Sequence, residues 1–148
     1  IPISKQISMT NPSTKARKYY VTDTGLRNAI LGVDEIETQS DEKGVLLETA
    51  VFNHTFRLMF SIDHQIRYQG YYYSEETEKD IILDLSKSIG GVFPIEVKNG
   101  HCGDDDIKKL KVAMNRLDSP FGFIICKEQV GLQDNIMIIP GWIFLLSC

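Results

Sequence analysis

Two short alternating runs joined by a glycine turn constrain this chain most. Asp80 to Ser86 reads DIILDLS, Val92 to Lys98 reads VFPIEVK, and KSIGG lies between them. Side chains of a strand alternate between its two faces. Ile81, Leu83 and Leu85 therefore share one face, and Asp80, Ile82 and Asp84 the other. In the second run Ile95 and Val97 oppose Glu96 and Lys98. Gly90 and Gly91 are available for the positive φ of a tight reversal. The spacing predicts an antiparallel hairpin turning near Ser88, in which Asp80 faces Glu96. Opposed residues bring their Cβ atoms to about 4.5–5.5 Å. Asp84 is the rival acid on the same face, but it opposes Val92 and lies about 13 Å along the strand from Asp80.

Two facing carboxylates repel unless a cation sits between them. Hard divalent ions such as Mg²⁺ take oxygen ligands of this kind and keep several waters. Lys98 follows on the same face. It could orient or deprotonate an attacking water, or steady a leaving phosphate oxygen. Metal-assisted phosphodiester hydrolysis uses those parts. The same residues on a solvated hairpin face would form only a weak ion pair, so spacing alone leaves both readings open.

The surrounding elements follow from periodicity. Residues 41–61 predict a helix in which Val45, Phe52, Phe56 and Met59 share a face widened by Val51 and Leu58. Glu48 falls inside that arc, where a charge is costly unless something pairs with it. Asp104 to Asp118 predicts a second amphipathic helix with the stripe Ile107, Leu110, Met114 and Leu117. Its aspartates sit at the amino end, where the helix dipole favours them. Gln65 to Tyr73, Phe121 to Lys127 and Asn135 to Pro140 read as strands. A short helix from Gly25 to Leu31 is capped by Asp23 or Thr24 and stopped by Gly32. The terminal run GWIFLL either completes the sheet or meets a partner. The order is helix, three strands, helix, strand, strand. It predicts an α/β domain with a central mixed sheet flanked by helices over residues 18–148, preceded by a linker or extended arm over 1–17.

The 148 residues fit one domain, and 43% hydrophobic against 24% charged residues excludes a disordered or fibrous chain. No apolar run reaches the ~18–20 residues of a membrane span. With no apolar leader and three scattered cysteines, the expected setting is reducing and cytoplasmic. The net charge of −4 is uneven: residues 1–30 carry +4 and the rest −8. The basic end could touch phosphate or be a solvated linker, while the acidic body argues against a broad DNA-binding face. Tyr71, Tyr72 and Tyr73 could stack on bases or belong half to the core. Lys108, Lys109, Lys111 and Arg116 could track phosphates or solvate a helix. His101 and Cys102 lack the companions a zinc site needs, since neither His54 nor His64 gives its spacing.

Asp80 followed by PIEVK, behind a helix with an embedded Glu, resembles the PD-(D/E)xK (restriction-endonuclease-like) superfamily. The resemblance implies an α-β-β-β-α-β core. It implies that Asp80 and Glu96 bind a metal, Mg²⁺ or Mn²⁺, that Lys98 serves the water, and that Glu48 completes the metal site. Lys79 stands where that motif has Pro. A closer resemblance covers most of the chain: KYYVTDTGLRNAILG (Lys18 to Gly32), KGVLLETAVFNHTF (Lys43 to Phe56), EKDIILDL (Glu78 to Leu85), PIEVK (Pro94 to Lys98) and IMIIPGWIFLL (Ile136 to Leu146). In that order they are similar to the carboxy-terminal, nuclease-like domain of unknown function of prokaryotic AAA+ ATPases. Glu78, Lys79 and Asp80 keep both acids of that family's Glu-hydrophobic-Asp strand and replace its middle residue. The resemblance implies an ATPase module upstream; no G-x-x-x-x-G-K-[ST] loop occurs here. The expected activity is metal-dependent cleavage of DNA. The alternative is a non-catalytic module that binds DNA or a protein and regulates the ATPase.

Overall fold

The computed structural model describes residues 2–3, 18–32, 40–62, 64, 71–73, 79–85 and 90–147. In chain order the elements are β1 (Pro2–Ile3), β2 (Lys18–Tyr19), α1 (Thr24–Leu31), α2 (Ser40–Ile62), β3 (Tyr71–Tyr73), β4 (Lys79–Asp84) and β5 (Val92–Val97). α3 (Asp104–Arg116), β6 (Gly122–Cys126), β7 (Gly131–Gln133), β8 (Ile136–Pro140) and α4 (Gly141–Leu145) follow. β1 and β2 pair with each other, and the other strands form one sheet in the order β3-β4-β5-β6-β8-β7. β3, β4 and β5 are antiparallel neighbours, β5-β6 and β6-β8 are parallel, and β7 runs antiparallel to β8. The fold is thus a mixed sheet flanked by helices, and α2 to β6 run helix, three strands, helix, strand.

The β4–β5 hairpin has the register its sequence predicts. Ile81 pairs with Ile95, Ile82 with Pro94, Leu83 with Phe93 and Asp84 with Val92. Leu85 N–H donates to the Gly91 carbonyl at 2.8 Å, and Gly90 takes φ 78°. A β-carbon on Gly91 would overlap the Phe93 ring, so a side chain there would force that ring to move. Pro94 lacks an N–H, yet it is tolerated inside β5 because pairing with β6 begins one residue later, at Ile95.

The two faces of the sheet carry two separate cores. Ile81, Leu83, Leu85 and Ile95 pack with Val51, Phe52 and Met59 of α2, and with Phe144 of α4. On the opposite face Ile124 and Cys126 of β6 and Ile136 and Ile138 of β8 pack under Ile107, Leu110 and Met114 of α3. The helix α3 approaches closely because Gly122 has no side chain: a β-carbon there would lie 2.8 Å from Met114 Sδ and 3.1 Å from Leu110 Cδ2.

The buried arc of α2 is centred on Val51, Phe52, Thr55 and Met59. Val45, expected in that arc, is 52% exposed. The reason is its height on the sheet. A β-carbon on Gly44 would lie 3.8 Å from Asn99 Cβ, so the first turns of α2 stand level with the end of β5, where the core stops. Thr49 and Thr55 are buried polar residues, and each satisfies its hydroxyl on the carbonyl four residues back, Val45 and Val51. The terminal run does not extend the sheet. It forms α4, with Phe144 buried and Trp142 62% exposed. Among the described residues no helix is long and apolar enough to cross a membrane.

Candidate functional site

The structure brings Glu96 and Lys98 together at the end of β5. Residues two apart on a strand share a face, and Lys98 Nζ lies 3.0 Å from Glu96 Oε1. Glu96 is only 7% exposed. Its side chain lies on the α3 side of the sheet, next to Ile124 in the β6 register. An ionised carboxylate so placed needs partners, and Lys98 is one of them.

A third residue joins them that the sequence reading assigned only to the helix dipole. Asp106, in the first turn of α3, places Oδ1 3.1 Å from Lys98 Nζ. Its Oδ2 accepts the Gly103 N–H at 3.1 Å, which caps α3. One carboxylate therefore ends a helix and holds a lysine. Burial alone would lower the Lys98 pKa; the hydrogen bonds and charges of Glu96 and Asp106 outweigh it and hold the ammonium above its ordinary value. Burial would raise Asp106, but the Gly103 hydrogen bond and then Lys98 carry it below the usual carboxylate value, helped by Lys109. Lys98 is thus a charged donor at neutral pH.

The loop that joins β5 to α3 is fastened by Gln129. Its Oε1 accepts the Cys102 N–H, and its Nε2 donates to the Cys102 carbonyl at 3.2 Å. The same Nε2 lies 3.2 Å from His101 Nε2, and Lys127 N–H donates to the Gly100 carbonyl at 3.3 Å. The His101 and Cys102 positions thus serve loop structure. Burial, with the nearby Asp106 charge next, raises the Cys102 pKa, so it is a thiol rather than a nucleophilic thiolate at neutral pH.

The two remaining candidates stand differently. The backbone of Asp80 belongs to β4, and continuing the pairing by one residue beyond Ile81–Ile95 sets it across from Glu96. Its side chain lies outside the described residues. Glu48 is half-buried on α2, which packs on the face of the sheet opposite to Glu96. It accepts a hydrogen bond from the Tyr20 hydroxyl, and the Tyr20 ring stacks on Phe52 at 4.3 Å. Tyr20 is a partner that the sequence reading passed over, because it stands 28 residues before Glu48 and outside α2. Asp84 opposes Val92, away from Glu96.

Among the described residues no three His, Cys, Asp or Glu side chains converge on one point at metal-binding reach. The lysines of α3 are partly spoken for, Lys108 by Asp105 at 3.3 Å and Lys111 by Asp134. The side chains of Tyr71, Tyr72 and Tyr73 lie outside the described residues. Comparison with protein-family models, with curated proteins and with solved structures found no match.

Proposed function

We propose that this domain is a metal-dependent phosphodiesterase acting on DNA, with Asp80 and Glu96 holding Mg²⁺ or Mn²⁺ and Lys98 serving the attacked phosphate or the water. The observation that carries the reading is the β4–β5 register. Continued one residue beyond the Ile81–Ile95 pair, that register would set Asp80 across from Glu96, and Lys98 lies 3.0 Å from Glu96. The donor set fits a hard divalent ion, because all its members are carboxylates and such an ion fills its other positions with water. Glu48, which the resemblance also assigns to the metal, packs on the other face of the sheet with the Tyr20 hydroxyl and is left out of this reading. When bound, the ion would polarise a phosphodiester oxygen and lower the pKa of its water. Lys98, beside Glu96 and Asp106, would orient or deprotonate the water or hydrogen-bond a phosphate oxygen. The proposal extends to a AAA+ ATPase module in the same polypeptide, as the sequence resemblance implies.

A second reading draws support from the same triad. Lys98 is already held by two carboxylates, an arrangement that also serves a closed structural pair at the end of a strand. On that reading the domain binds DNA or a protein partner and regulates the ATPase without cutting.

Titration calorimetry with Mg²⁺ and Mn²⁺ separates them. The wild type is expected to show saturable binding that Asp80→Ala/Glu96→Ala abolishes, together with metal-dependent cleavage of branched or linear DNA. Absence of metal binding, both with and without DNA, would overturn the nuclease reading in favour of the second.

A further inference from the structure

We infer that Asp106 is a positioning residue, which locks the Lys98 ammonium beside Glu96 by tying it to the capped first turn of α3. The catalytic meaning of this rests on the nuclease reading; the positioning itself rests on the contacts. A lysine ends a flexible four-carbon stem and behaves as a mobile point charge. Glu96 comes from the same strand two residues away, so it restrains Lys98 along β5 alone. Asp106 comes from another element, and its own freedom is removed. One oxygen is fixed by the Gly103 N–H at 3.1 Å, and the other faces Lys98 Nζ at 3.1 Å. The link between the two elements is short and fastened at both ends. Lys98 N–H donates to the Ile125 carbonyl at 2.8 Å, and Gln129 grips both backbone groups of Cys102 just before the cap. The lysine is thereby held by two elements rather than one, the arrangement a group needs to meet a reacting oxygen at a fixed place.

The test uses two variants and two readouts. Asp106→Asn keeps an oxygen for the Gly103 N–H and removes the charge; Asp106→Glu keeps both functions on a longer stem. Nitrogen-15 relaxation of the Lys98 ammonium reports its positional order without reference to catalysis. Asp106→Asn is expected to lose that order while folding normally, and Asp106→Glu to recover part of it. In the DNA cleavage assay Asp106→Asn is expected to lower kcat by about 10- to 100-fold with KM little changed. Lys98 order that survives in Asp106→Asn would overturn the inference, whatever the cleavage assay gives. Lost order with unchanged kcat would overturn its catalytic part. A wild type that binds no metal and cuts no DNA would overturn the nuclease reading instead, and the ammonium relaxation would still decide the positioning.

Discussion

The two faces of the sheet handle polarity in opposite ways. On the α2 side the core is apolar up to the end of β5, and the polar side chains within it are satisfied close to home. Thr49 and Thr55 turn back to their own helix, and the Glu48 carboxylate takes the Tyr20 hydroxyl. On the α3 side the middle is equally apolar, with Leu110, Ile124 and Ile136 fully buried. Its end holds two carboxylates and an ammonium drawn from β5 and α3. Burying a charge costs free energy that a single ion pair offsets poorly, and apolar residues in its place often do as well or better. A strand end built around three charges is therefore weakly explained by stability. Both faces supply packing, and the charged end of the α3 face is the part that packing explains least.

The largest test of that difference sets one residue from each face side by side. Phe52→Ala removes a ring that is 2% exposed and stacked on Tyr20. It should cost about 3–5 kcal/mol in a denaturant titration. Glu96→Gln should cost less than about 1 kcal/mol, because Lys98 keeps Asp106 and is itself a third exposed. Similar losses for both would erase the distinction. Gly122→Ala sharpens it within the α3 face. The added methyl meets Met114 and Leu110, and overpacking of this kind costs about 1–2 kcal/mol when a flexible thioether can swing aside. Gly100→Ala is the control, since a β-carbon there meets nothing within 4 Å. Equal melting temperatures for the two variants would mean that α3 is not packed tightly on β6.

What the sequence made legible was local. The hairpin register followed from alternation and two glycines. The limits of α1 followed from Asp23, whose carboxylate accepts the Leu26 N–H, and from Gly32 in the left-handed conformation. The missing parts were contacts between elements distant in space logic, not in chain logic. Asp106 is eight residues from Lys98, yet its role depends on where α3 docks. The Gln129 amide pairs with backbone, which carries no side-chain signature. β7 is three residues long, too short to show alternation, although Asp134 and Asn135 were a usable signal. Both take positive φ and close the two-residue turn between Gln133 and Ile136. GWIFLL was ambiguous because a short apolar run fits a strand or a buried helix, and the Pro140–Gly141 step decided for the helix.

The smallest expected effect is a pH dependence that belongs to one face only. His54 is buried on α2, edge-on to Phe144 at 5.2 Å and 3.4 Å from Ser147 Oγ. Burial, and next the Arg57 charge, hold its pKa below the ordinary 6.5, against a smaller opposing backbone contact at Phe144. The unfolded chain therefore takes up the proton first. Stability is complete above about pH 6.5, falls as the pH drops below that value, and levels off once the folded histidine also protonates. The α3 face behaves otherwise. Asp106 is depressed below 3.8, so its contribution persists above that value and is lost only as the pH falls through its lowered folded pKa. Lys98 is raised above 10.5, so its contribution is complete below that value and is lost as the pH rises through the folded pKa. Of His54, Asp106 and Lys98, only His54 changes charge in the range where an ordinary histidine titrates. Melting curves between about pH 5.5 and 7.5 should show a shallow decline toward acid in the wild type and a reduced one in His54→Gln. An unchanged slope in His54→Gln would move the titration to another group and remove pH as a way to tell the two faces apart.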